Sequence, residues 1–245
     1  MTNSDNLTPL AKLPGFDPRR VPAVEEVMAL PPVPAERLTP EALRQRFATP
    51  PVWQPEVRAE PRFVKRVPTP AAVLMPLVVR PEHPDTPMLL LTQRTSQLRN
   101  HSGQIALPGG KVDAGDADAT ATALREAEEE VGLPHDHVEV LGSLFQYTTG
   151  TAFVITPVVA LVRPGFTLRP NAEEVADVFE VPLSFVLNPA NHRRHVQMYE
   201  GLRREWFSMP YMDKALSQTN GEGVERFIWG ATAGMLRNFY RFMSA

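Results

Sequence analysis

The sequence predicts an α/β fold in which a mixed sheet carries helices on its faces. Two observations predict it. Apolar runs of strand length are interleaved with helical stretches, which favours a layered mixed sheet over a bundle or a sandwich. Proline is unevenly spread, with 14 of the 26 in residues 1–70, a density that opposes a packed sheet and assigns an extended N-terminal arm. The 245 residues suffice for one sizeable domain with an extension. The division expected is a Pro-rich extension over 1–60 and a folded domain over 61–245.

Within the arm, "LTPEALRQRF" predicts one short helix: Thr39 caps it, Pro40 suits the first helical position and Glu41 favours the positive end. "AAVLMPLVVR" reads as a buried strand, with Pro76 arguing for an edge or a bulge. "PEHPDTP" is turn chemistry and "MLLLTQR" a second strand, so residues 71–94 predict a hairpin. Residues 95–110 form a long loop ending in Pro108-Gly109-Gly110, a length usually kept for function. An alanine-rich helix follows, capped by Asp116 or Asp118 and closed by Gly132 and Pro134. Strands are expected over 138–147 and 153–162. Residues 174–183 read as a strand leading into a short helix with Ser184, Phe185 and Leu187. "HVQMYE" and "REWFSMP" predict a smaller hairpin, and residues 222–243 a closing helix.

Composition narrows the function classes. A net charge of -3 disfavours a general nucleic-acid binder. With no cysteine there is no disulfide, thiolate metal site or cysteine nucleophile, which fits a reducing compartment. No run of 18 apolar residues and no basic-then-apolar N-terminus is present, so neither membrane span nor secretion signal is expected, and cytoplasm is the default.

Four acids crowd the first long helix: Glu126, Glu128, Glu129 and Glu130. With Glu126 at zero on the helical wheel, Glu130 lies about 40° to one side and Glu129 about 60° to the other, a shared arc of roughly 100°. Glu128 points elsewhere. From the glutamates alone, a solvated face and a metal site both remain open, because repulsion among such residues costs only about 1 kcal/mol. The Gly-rich loop upstream shifts the balance: hard carboxylate oxygens beside a loop that admits close ligand approach suit Mg²⁺ or Mn²⁺ with a phosphate substrate.

These residues resemble the Nudix hydrolase signature, G-x5-E-x7-R-E-U-x-E-E-x-G-U with U apolar. Its second half is matched in full by Arg125 to Leu133. The first half departs, with one extra residue between Gly110 and Arg125 and Asp116 near the usual glutamate. "LLTQRTSQLRNHSGQIALPGG" (90–110) is similar to the further motif of the coenzyme A pyrophosphatase-like branch, L-L-T-x-R-[SA]-x3-R-x3-G-x3-F-P-G-G, with Thr95 and Leu107 as departures. The resemblance covers about residues 50–245. It implies an α/β/α sandwich and a diphosphate hydrolase using Mg²⁺ or Mn²⁺; coenzyme A would yield 3′,5′-ADP and 4′-phosphopantetheine. A homodimer is a further family-level expectation.

The resemblance implies a metal site of Glu126, Glu130 and Glu129, with Glu126 and Glu130 as direct ligands. Glu129 completes the site through a water or serves as general base, and which of the three is the base is left open. The separate Glu174 is a catalytic candidate as an acid outside the signature that helps the metal site. Glu173 competes with Glu174. Arg125 reads as a brace on Asp113 or Asp116, its alternative a phosphate contact in the catalytic machinery. Arg94 and Arg99 read as phosphate-gripping guanidiniums. Gly103, Gly109 and Gly110 read as backbone-permissive neighbours of the substrate. His101 reads as loop surface, and the aromatics Phe227, Trp229, Phe239, Tyr240 and Phe242 as core or dimer contacts rather than an adenine platform. Two alternatives stand beside coenzyme A: a Nudix enzyme for ADP-ribose, dinucleotides or nucleoside triphosphates, and a catalytically silent nucleotide-binding module.

Overall fold

The computed structural model describes residues 13, 15–24, 30–61, 67–96, 103–199, 202–214 and 223–245. The first long element is α1 (Pro40–Ala48), capped by Thr39, whose hydroxyl accepts the Ala42 N–H at 3.2 Å. β1 (Thr69–Arg80) and β2 (His83–Arg94) form the expected antiparallel hairpin, with Leu77 opposite Leu89.

The predicted loop 95–110 contains two short strands, β3 (Ile105–Ala106) on β2 and β4 (Gly109–Lys111) on β1. The carboxylate helix is α2 (Ala119–Val131). β5 (Val138–Ser143), β6 (Tyr147–Thr148) and β7 (Phe153–Val162) follow, so the run expected over 138–147 is broken in two. β8 (Val175–Pro182) leads into the short helix α3 (Leu183–Val186).

The main sheet has eight strands, with β3-β2-β1-β7-β5 as its spine; β4 joins β1, β6 joins β7 and β8 joins β2. It is mixed because β1 and β7 run parallel while their other neighbours are antiparallel. Side-chain alternation along β1 divides the core. Ala72, Leu74 and Val78 enter the cluster with Ala123, Ala127 and Val131 of α2. Val73, Met75 and Leu77 face the opposite cluster. The small residues of α2 bring its backbone close to the strands.

Pro76 is not on an edge. β1 is central, and the proline falls where it changes partner, between the β4 ladder at Ala71–Val73 and the β2 ladder from Leu77. The Leu74 N–H on that side donates to Pro108 O, so two residues on, Pro76 withholds a donor where no ladder needs one.

A three-stranded antiparallel sheet is made of β9 (Arg193–Tyr199), β10 (Leu202–Asp213) and β11 (Val224–Trp229), in the order β11-β10-β9. The single closing helix expected over 222–243 is therefore corrected: its first part is β11, and only α4 (Gly230–Ser244) is helical. Gly230, at φ 65°, turns the chain from one to the other. Leu236, Phe239, Tyr240 and Phe242 of α4 enter the cluster opposite α2.

The Pro-rich segment is bound to α4 by specific polar contacts. Val57 and the Asn238 side chain exchange two hydrogen bonds, at 3.1 and 2.7 Å. Arg237 binds Glu56, and Tyr240 donates its hydroxyl to Pro31 O at 2.8 Å.

Candidate active site

The ends of α2 set the position of the carboxylates. Asp118, rather than Asp116, caps the helix, accepting the Ala121 N–H at 2.8 Å. At the other end Gly132 takes φ 68° and donates to Glu128 O at 2.8 Å. This places one face of α2 against the glycine pair of β4.

Gly109 is needed for that approach, and Gly110 for the position of the Glu126 carboxylate. A Cβ on Gly109 would collide with Ala72 O and come within 2.6 Å of Val73 Cα. A Cβ on Gly110 would fall inside the Glu126 carboxylate.

Glu130 is 4% exposed. One oxygen accepts the Gly109 N–H at 3.2 Å, and the other lies 3.5 Å from Arg94 Nη1. Burial pushes its carboxyl up to about 7, against the opposing pull of Gly109 and Arg94, and the charges of Glu174 and Glu126 push the same way. Burial also raises Glu126; Arg125 counteracts this, while Glu129 and Glu174 add to it. Glu174 thus joins the group electrostatically from the start of β8. Its carbonyl accepts the Thr95 N–H at 2.9 Å, and Glu173 O accepts the Thr95 hydroxyl at 3.2 Å. Of the two competing acids, Glu173 is exposed and Glu174 half-buried.

Arg125 braces the loop. Its Nε and Nη2 each bind Asp116 at 3.0 Å, and Nη2 also donates to Lys111 O at 3.1 Å. Its Nη1 reaches Glu126 at 3.1 Å and Glu129 at 3.0 Å. Arg125, a backbone N–H and Thr122 hold Asp116 well below the usual carboxylate range. Asp116, near the usual signature glutamate, here anchors an arginine.

The three acids of the predicted arc are not equivalent. Glu130 is buried, Glu126 partly buried, and the Glu129 side chain 59% exposed. Glu128 points outward beside His135, at 3.2 Å. Gly103 is exposed at φ 68°, where the 95–104 loop re-enters the described chain. Arg99 and His101 lie outside the described residues. Sequence reasoning missed Thr95 as the residue that ties β2 to the backbone of Glu173 and Glu174; its only signal was its place as a departure from the branch motif.

Two acids raised by burial and mutual repulsion are hard oxygen donors whose imbalance a divalent cation would relieve, so the donor set fits Mg²⁺ or Mn²⁺. As arranged, no three acids converge into a metal-holding group among the described residues, with Arg94 and Arg125 paired to the carboxylates.

A mixed sheet with a glycine-bearing strand laid on a helix of graded carboxylates makes this an α/β protein with a candidate site for a cation and a phosphate ligand. The NUDIX domain model matches residues 68–206, more than half of the chain, and the chain belongs to the Nudix family. It is 42% identical over 168 residues to the uncharacterized Nudix hydrolase NudL of Escherichia coli K12, covering 68% of this chain and 79% of that protein. NudL of Photorhabdus laumondii is 40% identical over 166 residues, covering 68% and 80%. Among solved structures, the M. smegmatis Nudix hydrolase RenU is 23% identical over 49% of this chain and 73% of its own, with a TM-score of 0.40. The chain is accordingly a Nudix hydrolase acting on phosphorus anhydrides. Enzymes of this family use divalent ions such as Mg²⁺ or Mn²⁺. No helix among the described residues is long and apolar enough to cross a membrane.

Proposed function

We propose that this chain hydrolyses the diphosphate of coenzyme A or its derivatives, giving 3′,5′-ADP and 4′-phosphopantetheine or its acyl form. The observation that carries the reading is the reach of Arg94, from the branch-like 90–110 stretch, to buried Glu130 on the signature helix. That contact joins the substrate-selective motif to the catalytic one.

Glu126 and Glu130 are the residues that would hold Mg²⁺ or Mn²⁺, with Glu129 as the third candidate ligand. The cation, when bound, neutralises diphosphate charge and acidifies a water. Glu129 or Glu174 takes the proton as water oxygen attacks phosphorus and the bridging P–O bond breaks. Arg94 exchanges its carboxylate partner for a diphosphate oxygen. Arg125 acts as a positioning residue, holding Asp116, Lys111 O and Glu126 in one frame. Gly103, Gly109 and Gly110 keep backbone close to substrate, and Arg99 supplies a second guanidinium. The compartment proposed is the cytoplasm, and the division is an extension over 1–60 before a catalytic domain over 61–245.

The test is incubation with coenzyme A and Mg²⁺ or Mn²⁺, followed by separation of products. Appearance of 3′,5′-ADP supports the reading. Its absence, with brisk turnover of ADP-ribose, overturns it.

A further inference from the structure

The backbone of Glu174 is held from two sides by two residues. Asn171 accepts the Glu173 N–H through its side-chain Oδ1 at 3.1 Å, and the Glu174 N–H through its carbonyl at 3.0 Å. Thr95 donates its hydroxyl to Glu173 O at 3.2 Å and its N–H to Glu174 O at 2.9 Å. Together these bonds occupy the N–H and the C=O of both acids. With the polar groups on either side of its Cα fastened, the Glu174 Cα–Cβ bond is held in one direction.

Both jaws of this clamp start at Glu130. At the end of α2 the Asn171 N–H donates to Glu130 O at 2.9 Å, and the Arg169 N–H to Val131 O at 2.8 Å. Gly132 admits this segment, because a Cβ there would lie 2.9 Å from Arg169 N. On the other side Thr95 follows Arg94, whose guanidinium lies 3.5 Å from the Glu130 carboxylate. A closed circuit thus runs from Glu130 O through Asn171, Glu174, Thr95 and Arg94 back to the Glu130 carboxylate.

Strand pairing does not require the clamp. β2 and β8 pair from Met88 opposite Pro182 to Arg94 opposite Val175, and the clamp lies beyond that ladder. The last step of the ladder is irregular: Gln93 faces Asp177 and Arg94 faces Val175, so Ala176 is an extra residue. Such a bulge re-aims the side chains beside it. The need for restraint is electrostatic. The charge of Glu174 acts against those of Glu130 and Glu126. An acid on an unfastened loop would swing toward water to relieve that repulsion.

We propose that Asn171 and Thr95 are positioning residues for the hydrolytic reaction, holding the Glu174 carboxylate beside Glu126 and Glu130, an inference that rests on the reading of Glu174 as an acid of the active site. Each acts through Glu174 alone. Loosening either jaw therefore slows the chemical step and leaves substrate binding in place.

The test compares kcat, KM and melting temperature of the full chain in Thr95→Val and Asn171→Ala, each alone and each combined with Glu174→Gln. Thr95→Val removes the hydroxyl and keeps the shape; Asn171→Ala removes Oδ1. The substrate is coenzyme A, or ADP-ribose should the enzyme turn over that instead. Glu174→Gln is expected to lower kcat about a hundredfold. Each clamp variant lowers kcat about fivefold, with KM within about twofold of wild type. Thr95→Ser and Asn171→Ser, which keep a hydroxyl at each place, return kcat to within about twofold. In the Glu174→Gln background neither clamp substitution slows the enzyme further, since its target is already gone.

Losses that multiply in the Glu174→Gln background, in step with a fall in melting temperature, would mark a general structural role and overturn the proposal. Wild-type kcat in both clamp variants beside a slow Glu174→Gln would overturn it too. Wild-type kcat in Glu174→Gln itself would remove that acid from the site and the proposal with it. Failure to release 3′,5′-ADP from coenzyme A strikes the substrate reading alone, and the ADP-ribose arm then decides the clamp.

Discussion

The two faces of the main sheet treat buried charge in opposite ways. On the α2 face Glu130 is held by one N–H and a guanidinium at 3.5 Å, while Glu126 and Glu174 repel it. On the α4 face the Arg237 side chain is 3% exposed and fully engaged. Glu56 accepts from it at 2.8 and 3.2 Å, and its guanidinium lies 5.1 Å from the Phe207 ring. The first face keeps an electrostatic imbalance that a cation and substrate can discharge. The second uses matched polar groups to fasten residues 56–57 to α4. Substitutions on the two faces should therefore separate activity from stability.

The largest effect is expected at Glu130. Glu130→Gln keeps the shape and the Gly109 contact but removes the charge. Turnover should fall about a thousandfold, roughly 4 kcal/mol in the barrier. Melting in chelator should show no loss of stability, because a buried charge short of partners has been removed. An active variant, or an unfolded one, would break the contrast between the faces.

The next effect belongs to the α4 face and to pH. Burial lowers His192 to about 4 from its usual 6.5; its bond to Val186 O opposes this, and the Arg237 charge reinforces it. The folded protein holds this ring neutral, so the unfolded chain binds the proton first as pH falls. The His192 contribution is therefore constant above about pH 6.5 and declines between 6.5 and 4, by about 3 kcal/mol in total, while Glu130, raised to about 7, contributes in the opposite sense over much of that range. Denaturant unfolding of wild type and His192→Gln across that range isolates it: the stability difference between the two should shift by about that amount in favour of the variant as pH falls from about 6.5 to about 4.

A smaller loss is expected from Glu56→Gln. It leaves Arg237 buried beside a neutral amide, and partial exposure of Glu56 moderates the cost to about 2 kcal/mol. Activity at a temperature where the variant is folded should stay within about twofold of wild type. A large fall in kcat would show that the two faces are coupled.

The parts of this contrast differed in how far sequence exposed them. The β1–β2 hairpin was legible because two apolar runs flank turn residues. β11 was not: Phe227 and Ile228 continue an apolar pattern that also suits a helix, and their pairing with β10 is non-local. Only Gly230 marked the break. Pro76 misled because its missing donor is a local fact, whereas the change of partner along β1 is a property of the whole sheet. In the site, helical angle was legible and depth was not. Glu129 and Glu130 share an arc, yet Glu130 is buried because Gly109 admits β4 over one side of that arc.

The smallest effect tests depth against mere proximity. Glu128 and Glu129 are adjacent, and both side chains are 59% exposed. They differ in direction: Glu129 meets Arg125 of the brace, and Glu128 meets His135 beyond the end of α2. If charge density on the helix were what mattered, neutralising either would have the same consequence. If position on the arc matters, Glu128→Gln should leave kcat and KM within about twofold and stability within about 0.5 kcal/mol. Glu129→Gln should lower kcat by about tenfold or more through a lost base or cation contact. Equal losses from the two variants, in steady-state assays at one metal concentration, would dissolve the arc into a diffuse acidic surface. Unequal losses would tie the chemistry to the side of α2 that faces β4.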